Sequence, residues 1–221
     1  EEMLEKARQA SAGGLSLTVH AIGDRANHDV LDVYELLRKE EATRDGPHLR
    51  HRIEHVQILH PGDLKRLAAL DIIASMQPVH ATSDMEMADR YWGDRARYSY
   101  AWRTMWDSGA LVVFGSDSPV ERIDPLPGIH AAVTRRRADG FPGEDGWRPQ
   151  ERLTLDETLH AFTQAAAITS GQAKSQGSIS PGKLADLTIF ERDLFAVPAD
   201  ELLSVGIAGT IVGGTFRHRT W

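Results

Sequence analysis

The sequence predicts an α/β fold in which helices cover a mainly parallel sheet, followed by a smaller all-β segment. Apolar, strand-like runs alternate with amphipathic helical stretches through most of the chain. Metal-capable side chains follow three of these runs, and the carboxyl ends of parallel strands converge on one edge. After Gly177, short apolar runs are separated by glycine turns instead. This change of pattern predicts a division into residues 1–175 and 176–221.

Hydrophobic periodicity and turn residues place the elements of the first half. They are a helix over 1–12, a buried strand over 15–19, a helix over 27–39, a strand over 51–56, a helix beginning near Pro61 and a strand over 72–76. Residues 80–91 are predicted to form a long polar and aromatic loop, which either shapes a pocket or is a flexible insertion.

The second half continues the alternation before its pattern changes. The predicted elements are a helix around 97–107, a strand over 111–114, a helix near 129–137, a loop over 140–149, a helix over 154–167, and strands over 186–190, 203–211 and 215–218. Thr154 and Glu157 have the spacing of a capping box, which fixes the start of the helix at 154.

Composition narrows the classes of function. The chain has 221 residues, 41% hydrophobic and 26% charged, with a net charge of −7, so it lacks the basic surface of a nucleic-acid-binding protein. We interpret Arg135-Arg136-Arg137 as a solvated helix end. No apolar run approaches the roughly 20 residues that span a bilayer, and we expect a cytoplasmic protein. Because the chain contains no cysteine, any metal must use histidine and carboxylate ligands.

Two histidines occupy equivalent positions at the ends of successive strands. His20 follows the run 15–19, and His55 ends the run 51–56, about one strand–helix repeat later. A neutral imidazole at such a position is a common metal ligand. A structural role for either histidine alone is the simpler interpretation, but the repetition favours a shared metal site.

Asp117 completes the pattern after the strand over 111–114. A carboxylate there is costly to bury unless it is paired or metal-bound. Two histidines and one carboxylate suit zinc or another first-row divalent ion. Such an ion lowers the pKa of a bound water, and Asp117 is expected to accept the proton and pass it to a leaving nitrogen.

The other histidines require separate treatment. His51 begins the strand that His55 ends, and we interpret it as structural. His80 follows the third strand and is expected either to bind a substrate oxygen or to line the pocket. Glu54 should face away from His55 and pair with Arg52. The remaining histidines are expected on surfaces or in packing roles: His28, His48, His60, His130, His160 and His218.

Five segments, in order, resemble the amidohydrolase superfamily, specifically the amidohydrolase family 3 branch that includes N-substituted formamide deformylase-like proteins. They are His20-Ala21-Ile22-Gly23-Asp24-Arg25-Ala26, Arg50-His51-Arg52-Ile53-Glu54-His55-Val56-Gln57, Ser75-Met76-Gln77-Pro78, Gly115-Ser116-Asp117 and Pro181-Gly182-Lys183-Leu184-Ala185-Asp186-Leu187. The resemblance implies a distorted (β/α)8 barrel and a small β-sandwich built from both ends of the chain. His20 and His55 match metal ligands after strands five and six, and Asp117 matches the metal-binding, proton-shuttling aspartate after strand eight.

The family pattern also includes a His-x-His pair after strand one and commonly a carboxylated lysine or other carboxylate after strand four. Neither has a counterpart in this sequence. Because a typical barrel needs about 250 residues, the resemblance implies the C-terminal half of a barrel, strands 5 to 8, plus part of the sandwich.

The function expected from the resemblance is metal-dependent hydrolysis of a C–N bond in a non-peptide, formamide-like amide, carried out by metal-activated water as part of a longer protein. The expected cofactor is one or two divalent ions, with zinc as the first choice. The alternative is an inactive truncated product or remnant that self-associates through its open barrel edge. Expected partners are a small-molecule amide and further copies of the chain, without nucleic acid or membrane.

Overall fold

The computed structural model describes all residues from 1 to 221. Its α-helices are α1 (Glu2–Ala12), α2 (Asp24–Glu41), α3 (Arg66–Ala69), α4 (Pro78–Trp92), α5 (Trp102–Asp107), α6 (Pro125–Thr134), α7 (Leu155–Phe162) and α8 (Gln164–Thr169). Its strands are β1 (Thr18–Ala21), β2 (Arg52–His55), β3 (Ile73–Met76), β4 (Val112–Phe114), β5 (Leu187–Phe190), β6 (Ile207–Val212) and β7 (Thr215–Arg219). Short 3-10 helices cover Pro61–Asp63, Gly93–Tyr98, Pro149–Glu151 and Ala199–Ser204.

The chain divides into two compact units. Unit 1 contains Glu1–Gln77 and Ser83–Val113, and unit 2 contains Pro78–Thr82 and Phe114–Trp221. The division into 1–175 and 176–221 stays a prediction. None of the helices combines the length and the apolar composition needed to cross a bilayer.

The first four strands form one sheet in the order β1-β2-β3-β4. β1 is parallel to β2, with Val19 opposite Ile53, and β2 is parallel to β3, with Ile53 opposite Ala74. The predicted α/β fold with a parallel sheet is therefore confirmed, whereas its identity as strands 5 to 8 of a barrel stays a prediction. β1 lies at one edge of this sheet.

Helix α2 packs one stripe of its surface into the core of unit 1. The buried residues Val30, Leu31, Tyr34 and Leu37 recur at the three- and four-residue spacing of a helix face. The helix begins three residues before the predicted start. The buried Asn27 ties this first turn to the strand ends, because the two N–H groups of its Nδ2 are shared among the carbonyls of Ala21, Ile22, Gly23 and Ile58.

The predicted loop over 80–91 is wrong: these residues form most of α4. Pro78 occupies the first turn, where its missing N–H is not needed, and no further proline or glycine interrupts the chain before Gly93. Ala81, Met85 and Ala88 are buried at helical spacing. Their small or flexible side chains gave a weak apolar pattern, and the polar residues between them dominated the prediction.

The predicted buried strand over 15–19 is also corrected. The strand covers Thr18–Ala21 instead, and Leu15 is 63% exposed. The edge position of β1 explains the difference, because an edge strand in this sheet has a neighbour on one side only. His20 thus lies inside the strand as its third residue, with an exposed side chain.

The three consecutive arginines do not form a solvated helix end. Arg135 is 0% exposed and adopts a left-handed conformation at the C-terminus of α6, with φ of 60°. Its Nε donates to the carbonyl of Trp147 at 2.8 Å, and its guanidinium lies 5.0 Å from the centroid of the Trp147 ring. Arg136 forms an ion pair with Asp200. The run therefore anchors the segment after α6 within unit 2.

Unit 2 combines helices with a three-stranded antiparallel sheet in the order β5-β6-β7. The Thr154 capping box is confirmed, since Thr154 Oγ1 accepts from the Glu157 backbone and Glu157 accepts from the Thr154 backbone. The helix expected over 154–167 breaks at Thr163 into α7 and α8. The hydrophobic core of unit 2 includes Leu126, Ile129, Leu194, Leu202 and Val205.

Candidate active site

The candidate residues lie at or just after the C-terminal ends of the strands of the parallel sheet. His20 is the third of four residues in β1, and His55 is the last residue of β2. Gln77 follows β3 directly, and Asp117 comes three residues after β4. In parallel α/β proteins this edge is where ligands bind, because strand-to-helix connections all begin there.

Within unit 1, the imidazoles of His20 and His55 meet. Their ring centroids are 4.5 Å apart and the ring planes cross at 73°. The strand register alone would not predict this contact, because His20 pairs with Glu54 and side chains alternate between the faces of a sheet. His55 departs from that alternation through its positive φ of 79°. A left-handed turn at the end of β2 therefore brings the two rings together.

The backbone after β2 is strained at two consecutive residues. His55 has a φ of 79° and Val56 a φ of 47°, although β-branched residues rarely adopt positive φ. Such conformations cost on the order of 1–3 kcal/mol each and cluster at functional sites. The strain marks this turn as one that the rest of unit 1 holds in place.

Gln77 fixes the tautomer of His55. The His55 Nδ1 and Gln77 Oε1 atoms are 2.9 Å apart, and an amide oxygen can only accept, so Nδ1 carries the proton. Nε2 is then the unprotonated nitrogen, as metal ligation by a neutral histidine requires. Gln77 is a site residue that was not predicted from the sequence. The available signal was its place directly after the third apolar strand.

Within unit 2, His80 and Asp117 form a second pair. The His80 Nε2 and Asp117 Oδ2 atoms lie 4.0 Å apart. His80 is the third residue of α4 and its side chain is 11% exposed, whereas the Asp117 side chain is 39% exposed. Asp117 has a φ of 56°, and its carbonyl accepts from Val120 N at 2.8 Å, which makes a tight turn after β4.

His51 has the structural role expected of it. It is fully buried, its Nε2 lies 2.8 Å from Glu41 Oε1, and its Nδ1 accepts from Leu17 N at 2.9 Å. The ring also stacks on Tyr34, with centroids 5.3 Å apart and planes 13° from parallel. Burial lowers the pKa of His51, although the hydrogen bond to Glu41 opposes that shift. The imidazole thus ties α2 and the chain before β1 to the start of β2.

The other sequence expectations for polar residues are also met. Arg52 Nε donates to Glu54 Oε1 at 2.6 Å, which confirms the predicted pairing. His28 contacts Asp63, His48 contacts Asp71, and His60 caps the 3-10 turn at Pro61–Asp63. His130 lies in α6, where burial and then the charge of Arg136 lower its pKa. His160 lies in α7 and His218 in β7.

Each pair offers donor atoms of a type that a divalent first-row metal ion accepts. Imidazole nitrogen and carboxylate oxygen are the ligands that zinc takes in proteins that lack cysteine. The Gln77 contact supplies the second-shell acceptor that a ligating histidine needs. The chemistry of the chain's own residues is therefore compatible with a metal.

Comparison with known proteins agrees with this chemistry. The model of the Amidohydrolase family matches residues 1–218. The chain is 37% identical over 207 residues to Protein LONG AFTER FAR-RED 3 of Arabidopsis thaliana, covering 93% of this chain and 34% of that protein. It is 31% identical over 219 residues to N-substituted formamide deformylase of Arthrobacter pascens, covering 98% of this chain and 39% of that enzyme.

A solved structure has a similar fold. An uncharacterized metal-dependent hydrolase from Pyrococcus horikoshii OT3 superposes with a TM-score of 0.73 and 27% identity, covering 90% of this chain and 38% of that one. The chain thus spans between a third and two fifths of the length of these proteins. Because the family model covers nearly every residue, the chain belongs to the amidohydrolase family.

Proposed function

We propose that this chain is part of a metal-dependent hydrolase that cleaves the C–N bond of a small, non-peptide amide. His20, His55 and Asp117 are the proposed ligands of a divalent ion, for which zinc is the first candidate. The observation that carries the proposal is the His20–His55 ring pair at the carboxyl edge of the sheet, with the His55 tautomer set by Gln77. Family membership and the metal-dependent neighbour support it.

The proposed substrate class is an N-substituted formamide or a similar amide. Support comes from the relative named N-substituted formamide deformylase, which aligns with 98% of this chain. Since the chain covers 39% of that enzyme, the remaining part of such a protein also shapes the substrate pocket. The chain itself supplies the strand-end ligands.

Asp117 is the proposed general base and acid. When bound, a divalent ion polarises a carbonyl and makes water more acidic. The carboxylate of Asp117 is partly exposed and can accept the proton of an attacking water, then donate it to the nitrogen that leaves. The left-handed turn at Asp117 holds this side chain directly after β4.

His80 is the proposed substrate-binding residue. Its ring is mostly buried on the first turn of α4, and its Nε2 lies 4.0 Å from Asp117 Oδ2, farther than a hydrogen bond. An imidazole N–H beside this carboxylate can donate a hydrogen bond to a substrate oxygen.

The experiment compares this chain with the longest open reading frame that contains it, both reconstituted with zinc. Formate release from an N-substituted formamide is the readout. We expect turnover by the longer protein, weak or absent turnover by the chain of 221 residues, and a loss of at least about 1000-fold in kcat for D117N, the size of a lost proton-transfer group. The E54Q variant is the matched control, because Glu54 pairs with Arg52. Full activity of D117N, or activity unaffected by chelation, would contradict the proposal.

A second candidate is self-association without catalysis, favoured by the exposed edge of the parallel sheet. β1 is a terminal strand in the sheet order, and Thr18 and His20 are exposed along it. An uncovered parallel edge presents unpaired backbone groups to another chain. Light scattering after gel filtration tests this candidate: we expect oligomers at micromolar concentration, and a monodisperse monomer would count against it.

A further inference from the structure

Three polar side chains of unit 1 form a hydrogen-bonded cluster that the proposed reaction does not use. Gln57 Nε2 donates to Asp84 Oδ2 at 3.1 Å and also to the hydroxyl of Tyr100. The Tyr100 hydroxyl in turn donates to Asp84 Oδ2 at 2.6 Å. Gln57 is 6% exposed and Tyr100 is 2% exposed. We call Gln57, Asp84 and Tyr100 the polar clamp.

The polar clamp acts on the turn that carries His55. Gln57 comes two residues after His55, and its carbonyl accepts from Tyr100 N at 2.7 Å, so Tyr100 grips both the backbone and the side chain of Gln57. The next residues are held too, because Ile58 N donates to Ile22 O at 3.1 Å and Leu59 N to Tyr98 O at 3.2 Å. The chain after β2 is thus fixed on both sides.

This fixation coincides with backbone strain. Positive φ occurs at His55, at Val56 and again at Tyr100, where it is 51°. Strained residues of this kind persist only when surrounding contacts over-determine them. The polar clamp supplies such contacts, because the Asp84 carboxylate accepts two hydrogen bonds. Hydrogen bonds to a charged acceptor are stronger than hydrogen bonds to a neutral one, especially away from bulk water.

We propose that Tyr100 and Asp84 are positioning residues that hold the imidazole of His55 against Gln77, through the turn at Gln57, and so set the affinity of the chain for a divalent metal ion. The inference rests on the proposed function for the identity of His55 as a ligand. Neither residue needs to touch substrate or metal. Losing the clamp lets the strained turn relax, and the His55 ring then leaves the orientation that the Gln77 contact requires.

The first test needs no metal. Long-range 1H–15N NMR of the histidine rings reports the tautomer, and the H55Q variant assigns the His55 signals. In the wild-type chain we expect His55 as the Nδ1-protonated tautomer. In Y100F we expect averaged tautomers, and in D84A the same result. D84N keeps one acceptor oxygen and should retain part of the wild-type pattern. Y98F, which alters a tyrosine outside the clamp, should leave the spectrum unchanged.

The second test measures zinc affinity by competition with a chromophoric chelator. Removing residues that orient a metal ligand typically lowers affinity by roughly 10–100-fold, and we expect at least about tenfold weaker binding for Y100F and D84A. Y98F should match the wild type. A merely structural role would lower the urea midpoint of Y100F while leaving both the tautomer and the zinc affinity of the folded chain unchanged.

The outcomes separate this inference from the proposed function. A wild-type chain that binds no zinc would count against the metal centre, while the tautomer of His55 in Y100F still decides the role of the clamp. Y100F with the wild-type tautomer would overturn the inference. If Y100F does not fold, the comparison of D84A with D84N decides, and identical wild-type tautomers in both would overturn it as well.

Discussion

Two histidines at opposite ends of one strand show how differently unit 1 uses the same side chain. His51 precedes β2 and His55 ends it. Both ring nitrogens of His51 are committed to unit 1, one to Glu41 and one to Leu17 N. In His55 the Nδ1 atom bonds Gln77, and the ring meets His20 edge to face. The imidazole at the N-terminal end of the strand stabilises the fold through two hydrogen bonds. The imidazole at the C-terminal end is oriented by Gln77 and lies in a strained backbone turn.

The surroundings of each ring explain this difference. Glu41 also accepts hydrogen bonds from Ser11 Oγ at 2.6 Å and Arg38 Nη1 at 2.8 Å, so the His51 network is saturated. Burial raises the pKa of Glu41, but the hydrogen bonds from Ser11, His51 and Arg38 outweigh burial and hold the pKa below its ordinary value. Around His55, the backbone adopts positive φ at two successive residues. A satisfied network and an ordinary backbone indicate structure, and strain beside an oriented ring indicates function.

The largest expected effect on stability comes from removing His51. In H51L, Glu41 loses a hydrogen-bond donor and Leu17 N loses its acceptor, so we expect the free energy of unfolding to fall by about 1–3 kcal/mol for each partner left unsatisfied. Urea denaturation measures this. The matched control is H48Q, because the pair of His48 with Asp71 is exposed and should contribute less than about 1 kcal/mol. If H51L and H48Q lowered the free energy of unfolding equally, His51 would not have the special structural role described above.

The next effect concerns the other end of the strand. We expect H55A to weaken zinc binding by more than about 100-fold, beyond the roughly 10–100-fold typical of residues that only orient a ligand. Its free energy of unfolding without metal should fall by about 1 kcal/mol, since one hydrogen bond is lost. Zinc competition and urea denaturation together test this. If H55A bound zinc like the wild type, His55 would not be a ligand.

A smaller effect follows from pH. Burial lowers the pKa of His51 in the folded chain, so the unfolded chain binds more protons as the pH falls through the ordinary histidine range near about 6.5. The contribution of the neutral ring is therefore complete above that pH and is lost below it. We expect the loss of stability between pH 7.5 and pH 5.5, measured in urea, to be smaller in H51Q than in the wild type. Burial also lowers the pKa of His130, so part of the pH dependence of stability remains in H51Q. An unchanged slope would mean that His51 does not titrate as its burial implies.

The smallest effect is expected for the residue between the two histidines. Glu54 forms a partly exposed ion pair with Arg52 on β2. E54Q should change the free energy of unfolding by less than about 1 kcal/mol and leave zinc affinity within twofold. A larger change in zinc affinity would show that charge near His55, rather than its orientation, dominates the metal site.

The sequence predicted the α/β fold and the bounds of β2, β3 and β4 well, because apolar runs and their spacing report burial directly. It failed where the pattern is weak or where tertiary structure decides. Ala81, Met85 and Ala88 hold α4 in the core with little apolar contrast. Arg135 is buried through a stacking contact with Trp147, which no local pattern reports.

The residue types of the candidate site could be proposed from the sequence, whereas the orientation of the His55 ring could not. His20, His55, His80 and Asp117 follow from their places after apolar runs. The positive φ of His55 and its bond to Gln77 depend on residues far apart in sequence, as does the clamp of Gln57 by Tyr100. Periodicity says which face a residue occupies in a regular strand, and these residues lie where the strand ends.

We propose that the imidazoles of His20 and His55 bind a divalent metal ion together with the carboxylate of Asp117. X-ray absorption at the zinc edge of the zinc-loaded chain tests it most directly, with the H20A and H55A double variant measured beside it. We expect a stoichiometric zinc ion with only nitrogen and oxygen ligands, at least two of them imidazoles, and loss of that ion in the double variant. A chain that binds no stoichiometric zinc, or a double variant that keeps the same ligand shell, would contradict it.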